Sequence, residues 1–344
     1  MTLIYFILIL GITVCIHEFG HFYFAKKSGV YVYEFSIGMG PVIKQWKRKN
    51  DETVYSIRLF PIGGYVSMAG EQVDDDDKVP STKRLYNKTW GQRFITIAAG
   101  IILNFVLAIV LFFILAVVTG TPSMNGYVTS LEKNMPAYNS GLKVGDKILK
   151  LNKKNINADM IMLDLMVNKE KEITLTVEHE NNKIEHVKIK PKKTKEGSYK
   201  FGFGIGAKEE KGFLAPFKYA FEKTWSLLKQ MVYVITYLCT GQISFNSLSG
   251  PVGIYEVVGE TAKAGFASLV YLLAYISLNV GFMNLLPIPA FDGGRLLFLI
   301  IEKVKGSPVN PKIENIIHSI GLFLLLGLMV VITYNDIVRI FFGG

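Results

Sequence analysis

His17, Glu18 and His21 spell H-E-x-x-H inside residues 3–25, a run that is otherwise almost wholly apolar. A helix puts residues i and i+4 on one face, so both imidazoles can grip a single metal ion. The carboxylate between them is the usual water activator of zinc peptidases. Ionisable groups in hydrocarbon cost roughly 2.5–3.5 kcal/mol each on insertion scales, so their presence there points to function. The plainer alternative, an interhelical hydrogen-bond cluster holding a bundle together, has no need of metal-ligand spacing. Cys15 points to another side of the helix and reads as a small packing residue.

A catalytic zinc takes three protein ligands and keeps one position for water. Of the five histidines, His179 and His186 fall in a long polar stretch, which leaves His318, at the start of the last apolar run, as a rival third ligand. The stronger one is Asp292, in N-L-L-P-I-P-A-F-D-G-G at 284–294. Pro287 and Pro289 interrupt what would otherwise be a membrane helix and leave carbonyls without partners. Such breaks are tolerated at membrane depth only where they are buried in protein or line a wet cavity. A carboxylate followed by Gly293 and Gly294 can approach a metal closely, although capping the next helix is an alternative role for it.

Half of the 344 residues are apolar and the mean hydropathy is positive, as in an integral membrane protein. Four runs are long enough to span: 3–25, 94–118, 267–286 and 318–340. The first is expected to remain as a span rather than act as a cleaved signal, because no basic charge precedes it and no small-residue cleavage site follows. Basic residues crowd segments 26–93 and 302–312, which predicts a cytoplasmic side for both. The N-terminus, the segment between spans two and three, and the C-terminus then face outward. His17, His21 and Asp292 fall at similar depth near the cytoplasmic side, a coincidence the motifs did not presuppose.

Residues 212–240 carry Phe213, Phe217, Phe221, Trp225 and Leu228 on one face, with Lys218, Glu222, Lys223 and Lys229 on another. This predicts an amphipathic interfacial helix rather than a fifth span, which would place Asp292 on the wrong side for His17. The net charge of +10 is spread over loops without a recognition-helix pattern or an aromatic-basic platform. It reads as topology and contact with anionic lipid, not as nucleic-acid binding. The acidic run at 74–77 reads as a solvated loop, and two cysteines give no disulfide framework. Four β-rich runs, 31–37, 42–46, 53–59 and 65–68, follow the metal helix. An exposed edge there could pair with a substrate unwound to a strand, or the sheet could simply plug the cytoplasmic mouth.

Taken together, H-E-F-G-H at 17–21 and N-L-L-P-I-P-A-F-D-G-G at 284–294 resemble the site-2 protease family of intramembrane zinc metalloproteases. A-G-I-I-L-N-F at 99–105 and L-S-G-P-V-G-I at 248–254 are also similar to family signatures, with Ile101 standing where the family commonly has proline. Order and size look like the bacterial branch that trims anti-sigma factors and signal-peptide remnants. The resemblance implies Zn²⁺ on His17, His21 and Asp292, Glu18 as catalytic base, and Asn284 with Pro287 and Pro289 shaping the cleft. Asn104 and Asn284 could contact substrate backbone, with interhelical packing an equal role for Asn104. Residues 121–205 look like a PDZ domain of the permuted bacterial kind, which the resemblance makes a filter against substrates with bulky outer domains.

The expected architecture is a polytopic α-helical membrane protein with four transmembrane helices, a membrane-associated β-rich loop and an inserted α+β PDZ domain. The parts are 1–120, 121–205, 206–265 and 266–344, the first and last forming the protease core. The expected activity is metal-assisted hydrolysis of peptide bonds in or near transmembrane helices of pre-trimmed membrane proteins. A non-catalytic membrane PDZ adaptor with a structural metal is the alternative, and a structural site has no use for Glu18. A metal transporter would want more acidic or histidine residues along several spans.

Overall fold

The computed structural model describes residues 1–71, 79–194, 198–244 and 248–342, so the acidic run at 74–77 lies outside the described residues. In chain order, apart from short 3-10 turns, the first elements are α1 (Thr2–Lys27), β1 (Val32–Lys47), β2 (Val54–Met68) and α2 (Trp90–Thr119). Then come β3 (Gly126–Leu131), β4 (Lys147–Leu151), β5 (Lys154–Asn155), α3 (Ala158–Val167), β6 (Ile173–Glu178) and β7 (Ile184–Ile189). β8 (Lys192–Lys193), β9 (Tyr199–Lys200), β10 (Phe203–Gly206) and α4 (Ala215–Cys239) follow. The chain ends with α5 (Pro251–Lys263), α6 (Phe266–Leu285), α7 (Asp292–Lys305) and α8 (Pro311–Phe342). They fall into two compact units, residues 1–111 with 246–344, and residues 112–245.

Four helices among the described residues are long and apolar enough to cross a membrane: Thr2–Lys27, Trp90–Thr119, Phe266–Leu285 and Lys312–Arg339. They coincide with the four apolar runs. In the first unit α6 is the most enclosed of them and packs against α1 and α5. Phe6 and Ile9 of α1 meet Val258 of α5 and Leu269, Leu272 and Ile276 of α6. Lipid is as apolar as these side chains, so close fit rather than escape from water holds such helices together. Glycine supplies the fit: a Cβ on Gly20 would lie 2.5 Å from the Ala99 carbonyl oxygen, and one on Gly281 2.7 Å from the Phe105 ring.

The β-rich segment is two bent strands that pair as four pieces. Residues 42–47 and 54–58 form a hairpin, while residues 32–37 pair with 54–57 on one side and 64–68 on the other. The four runs read from the sequence are these four pieces, and 64–68 is one of the two outer ones, opposite 42–47. Its partner strand is braced by a polar knot. Ser56, Tyr65 and Arg58 all donate to the Glu34 carboxylate, the guanidinium at 2.8 Å. Burial works against the Glu34 charge, yet these hydrogen bonds hold its carboxyl below the usual range. Burial and the Glu34 carboxylate push the Tyr65 phenol up to about 12.

α6 stops at Leu285, and Leu286 turns extended (φ −62°, ψ 140°), as a residue before proline must. The chain resumes as α7 with Asp292 in its first turn, where a carboxylate suits the helix dipole. Gly306, left-handed at φ +78°, closes α7. α7 lies on the start of α2: Ile97, Ala98 and Ile101 pack on Leu296 and Leu299, and Arg93 grips Glu302 at 2.8 and 2.9 Å. At the far end of α8, Asp336 accepts hydrogen bonds from the backbone N–H groups of Gly250 (2.9 Å) and Gly253 (2.8 Å). It thereby caps α5, and a Cβ on Gly250 would come 3.0 Å from its carboxylate.

The second unit is an antiparallel sheet in the order β10-β3-β4-β6-β7, with β5 paired to β4. Strands β6 and β7 pair antiparallel, Ile173 opposite Ile189 and Glu178 opposite Ile184. Its core includes Val128, Ile148, Leu151, Ile161, Leu175 and Val177. α3 is capped by Asn157, whose side chain accepts from the Met160 N–H at 3.1 Å and donates to Ser226 of α4 at 2.7 Å. The aromatic stripe of α4 stands outward, with Phe217, Phe221 and Trp225 exposed, as is Phe213 just before the helix. Lys223 departs from the expected polar face: it is buried and paired with Asp159, because α3 packs on that side.

Replacing Asp336 by alanine leaves two buried N–H groups unpaired. The expected cost is about 1.5–3 kcal/mol, read as a lower melting temperature in detergent, with Asp336→Asn milder because its amide oxygen still accepts. An unchanged melting temperature for Asp336→Ala would contradict this capping role.

Candidate metal centre

His17 and His21 lie one turn apart on α1, both buried, and Asp292 opens α7 beside them. The carboxylate oxygen Oδ2 of Asp292 is 3.1 Å from His17 Nε2 and 3.2 Å from His21 Nε2, and the two Nε2 atoms are 3.2 Å apart. Among the described residues these three form the one cluster of ligand-type atoms, all within 4.8 Å of one another. A tetrahedral zinc with bonds near 2.0–2.1 Å separates its ligands by about 3.3 Å, so the triangle has the edge length zinc requires. Asp292 Oδ2 is buried without a hydrogen-bond donor among the described residues, which fits an atom reserved for a cation.

Each histidine is held from behind. His21 Nδ1 donates to the Thr96 carbonyl at 2.9 Å, which leaves the lone pair on Nε2, facing Asp292. His17 Nδ1 lies 3.4 Å from the Asn104 carboxamide. Turned so that its oxygen, otherwise buried and unpartnered, faces that nitrogen, the amide would accept from His17 and fix the same tautomer. Asn104 is fully buried and stands against His17 rather than on the cavity; Ser277 donates to its backbone carbonyl at 3.0 Å.

The remaining sequence-predicted residues separate. Asn284 lines the cavity, its amide nitrogen bonded to the Val280 carbonyl at 3.0 Å. Pro287 is exposed and belongs to the helix break. His318, the rival third ligand, is outside the triad; its Nδ1 instead accepts from the Ala290 N–H at 3.0 Å. Glu18 faces a cavity of about 290 Å³ shared with His17, His21 and Asp292 and walled by Tyr65 and Arg295. Liquid water occupies roughly 30 Å³ per molecule, so several fit. The outer β segment supplies Tyr65, Val66 and Met68 to this wall.

Sequence reasoning missed the glycine of the second span. A Cβ on Gly100 would sit 2.5 Å from His21 Nε2 and 2.8 Å from His17 Cε1, so only glycine lets α2 lie against the paired imidazoles. A small-residue step before Asn104 was the available signal. Gly100→Ala is expected to weaken zinc binding by about tenfold or more while helix content by circular dichroism stays unchanged. Wild-type affinity in that variant would contradict the packing described.

The model of peptidase family M50 matches residues 5–328. The chain is 34% identical over 420 residues to "Regulator of sigma-W protease RasP" of Bacillus subtilis (strain 168), with 99% of both chains covered. It is similarly 34% identical over 419 residues to "Zinc metalloprotease RasP" of Bacillus licheniformis, and 33% over 428 residues to "Putative zinc metalloprotease SAS1196" of Staphylococcus aureus (strain MSSA476), again with 99% of each chain covered. Solved PDZ domains of SdrC-like proteins from Listeria monocytogenes and Listeria innocua align at 21% and 24% identity. They cover 24% and 25% of this chain, and 88% and 92% of their own, each with a TM-score of 0.21. With two histidines and an aspartate clustered around a glutamate and a family match over nearly its whole length, the chain belongs to peptidase family M50, the site-2 protease family.

Proposed function

We propose that this protein is an intramembrane zinc metalloprotease that hydrolyses peptide bonds in or beside transmembrane helices of membrane proteins already trimmed outside the bilayer. The observation that carries the reading is the convergence of His17, His21 and Asp292 within 4.8 Å, on elements framed by apolar helices, with Glu18 on the same cavity. His17 Nε2, His21 Nε2 and Asp292 Oδ2 would hold Zn²⁺. Bound zinc makes a water acidic near neutral pH and polarises a carbonyl. Glu18 takes the proton of the attacking water as its oxygen bonds to the carbonyl carbon. It then delivers that proton to the leaving amine nitrogen as the C–N bond breaks. Asn104 and the Thr96 carbonyl orient the two imidazoles.

A substrate helix hides its peptide bonds and must unwind before attack. The outer β segment at 64–68 sits on the cavity wall, where an extended substrate can add as a strand. Asn284 stands on that cavity to meet substrate backbone, and the break at Pro287 gives the cleft its shape. The relative from Bacillus subtilis carries the name regulator of sigma-W protease, which favours anti-sigma factors, with signal-peptide remnants, as the substrate class.

Residues 121–205 serve as a PDZ domain that filters untrimmed substrates. Segment 206–265 carries the amphipathic α4 at the lipid interface, and 1–120 with 266–344 form the catalytic core. The N-terminus and the PDZ domain face outward in a multi-pass cell-membrane protein, and the catalytic site lies toward the cytoplasm.

Glu18→Gln should retain zinc and lose about 10²–10⁴-fold in cleavage rate on a model transmembrane substrate; cleavage at the wild-type rate would refute the assigned chemistry. Single proline substitutions along 65–68 should abolish cleavage at the positions whose N–H faces outward, with the protein still folded by gel filtration. If all four folded variants cleave normally, the strand-addition role fails.

A further inference from the structure

Between α6 and α7 the backbone is sparing with donors. Pro287 and Pro289 have none, the Ile288 N–H goes to the Leu286 carbonyl at 2.7 Å, and the Ala290 N–H goes to His318 Nδ1 at 3.0 Å. Ala290 is left-handed, at φ +83°. Four of the five other described non-glycine residues with positive φ are asparagines, which tolerate that conformation, whereas an alanine in it is strained. Some contact has to hold the turn, and two residues later the chain delivers Asp292.

α8 makes that contact with one face. His318 and Gly321 are three residues apart and both meet the turn. A Cβ on Gly321 would lie 2.4 Å from Pro289 Cβ, and one on Gly294 3.2 Å from His318 Cε1, so helix and loop touch without slack. The Phe298 ring centre lies 5.7 Å from the imidazole centre, with the two rings tilted by 53°. His318 stands outside the ligand triangle and away from the cavity that holds Glu18.

We infer that His318 is a positioning residue: its acceptor Nδ1 pins the strained turn at Ala290 and so holds Asp292 in reach of the metal. The inference rests on the reading of Asp292 as a ligand. It requires an acceptor at one place on α8, which the Oδ1 of asparagine can reproduce and the longer glutamine cannot.

The test uses the full chain in detergent with two readouts: deuterium uptake of the peptide covering 286–298 in metal-free protein, and zinc affinity by chelator competition. His318→Leu and His318→Gln should exchange faster and bind zinc about 10–100-fold more weakly. His318→Asn should keep both properties near wild type. In the leucine and glutamine variants, excess zinc should restore kcat. The inference is overturned if His318→Leu leaves uptake and affinity unchanged, or if His318→Asn is as impaired as His318→Leu. Failure of the wild-type chain to bind zinc would instead overturn the ligand assignment, and the uptake of metal-free protein tells the two failures apart.

Discussion

Bringing two imidazoles and a carboxylate to one point inside an apolar bundle is the constraint on which this structure turns. Each group is costly in hydrocarbon. The cost is offset only if a cation sits among them and each donor is held from behind. α1 supplies both histidines by helical periodicity alone. Asp292 comes from the other end of the chain and depends on a proline break, a left-handed alanine and the packing of α7 on α2. The bracing is uneven as a result: the histidines ride on a continuous helix, whereas the aspartate hangs on a short strained turn.

Much of this is legible before any fold is known. The i, i+4 spacing of His17 and His21 in an apolar run, the two prolines before Asp292 and the four long apolar runs all have local physical causes. So do the four β-rich runs, which recur as the four paired pieces of the bent sheet. What escapes sequence reasoning is pairwise and long-range. The small-residue step at 98–100 signals close packing, but it does not say that both imidazoles rest against Gly100 or that Asn104 is the partner of His17. His318 is chemically a plausible ligand, and only the geometry sends its Nδ1 to a backbone N–H instead. Lys223 fits a solvated helix face by periodicity, yet α3 with Asp159 covers it.

Around the cluster of His17, His21 and Asp292 the rest of the first unit divides the labour. The polar knot on Glu34 stiffens the sheet whose outer piece walls the cavity. Asp336 fastens α5 to α8, and the glycines of both contacts are there because a Cβ would collide. In the second unit α4 leaves Phe217, Phe221 and Trp225 exposed on one face.

X-ray absorption at the zinc edge of the purified, metal-loaded chain tests the central claim most directly. A centre built from His17, His21 and Asp292 should give two imidazole nitrogens and light oxygen scatterers near 2.0–2.2 Å. Asp292→Ala should lose one oxygen, and His17→Ala one imidazole. Zinc spectra identical in wild type and both variants would place the metal elsewhere and contradict the account.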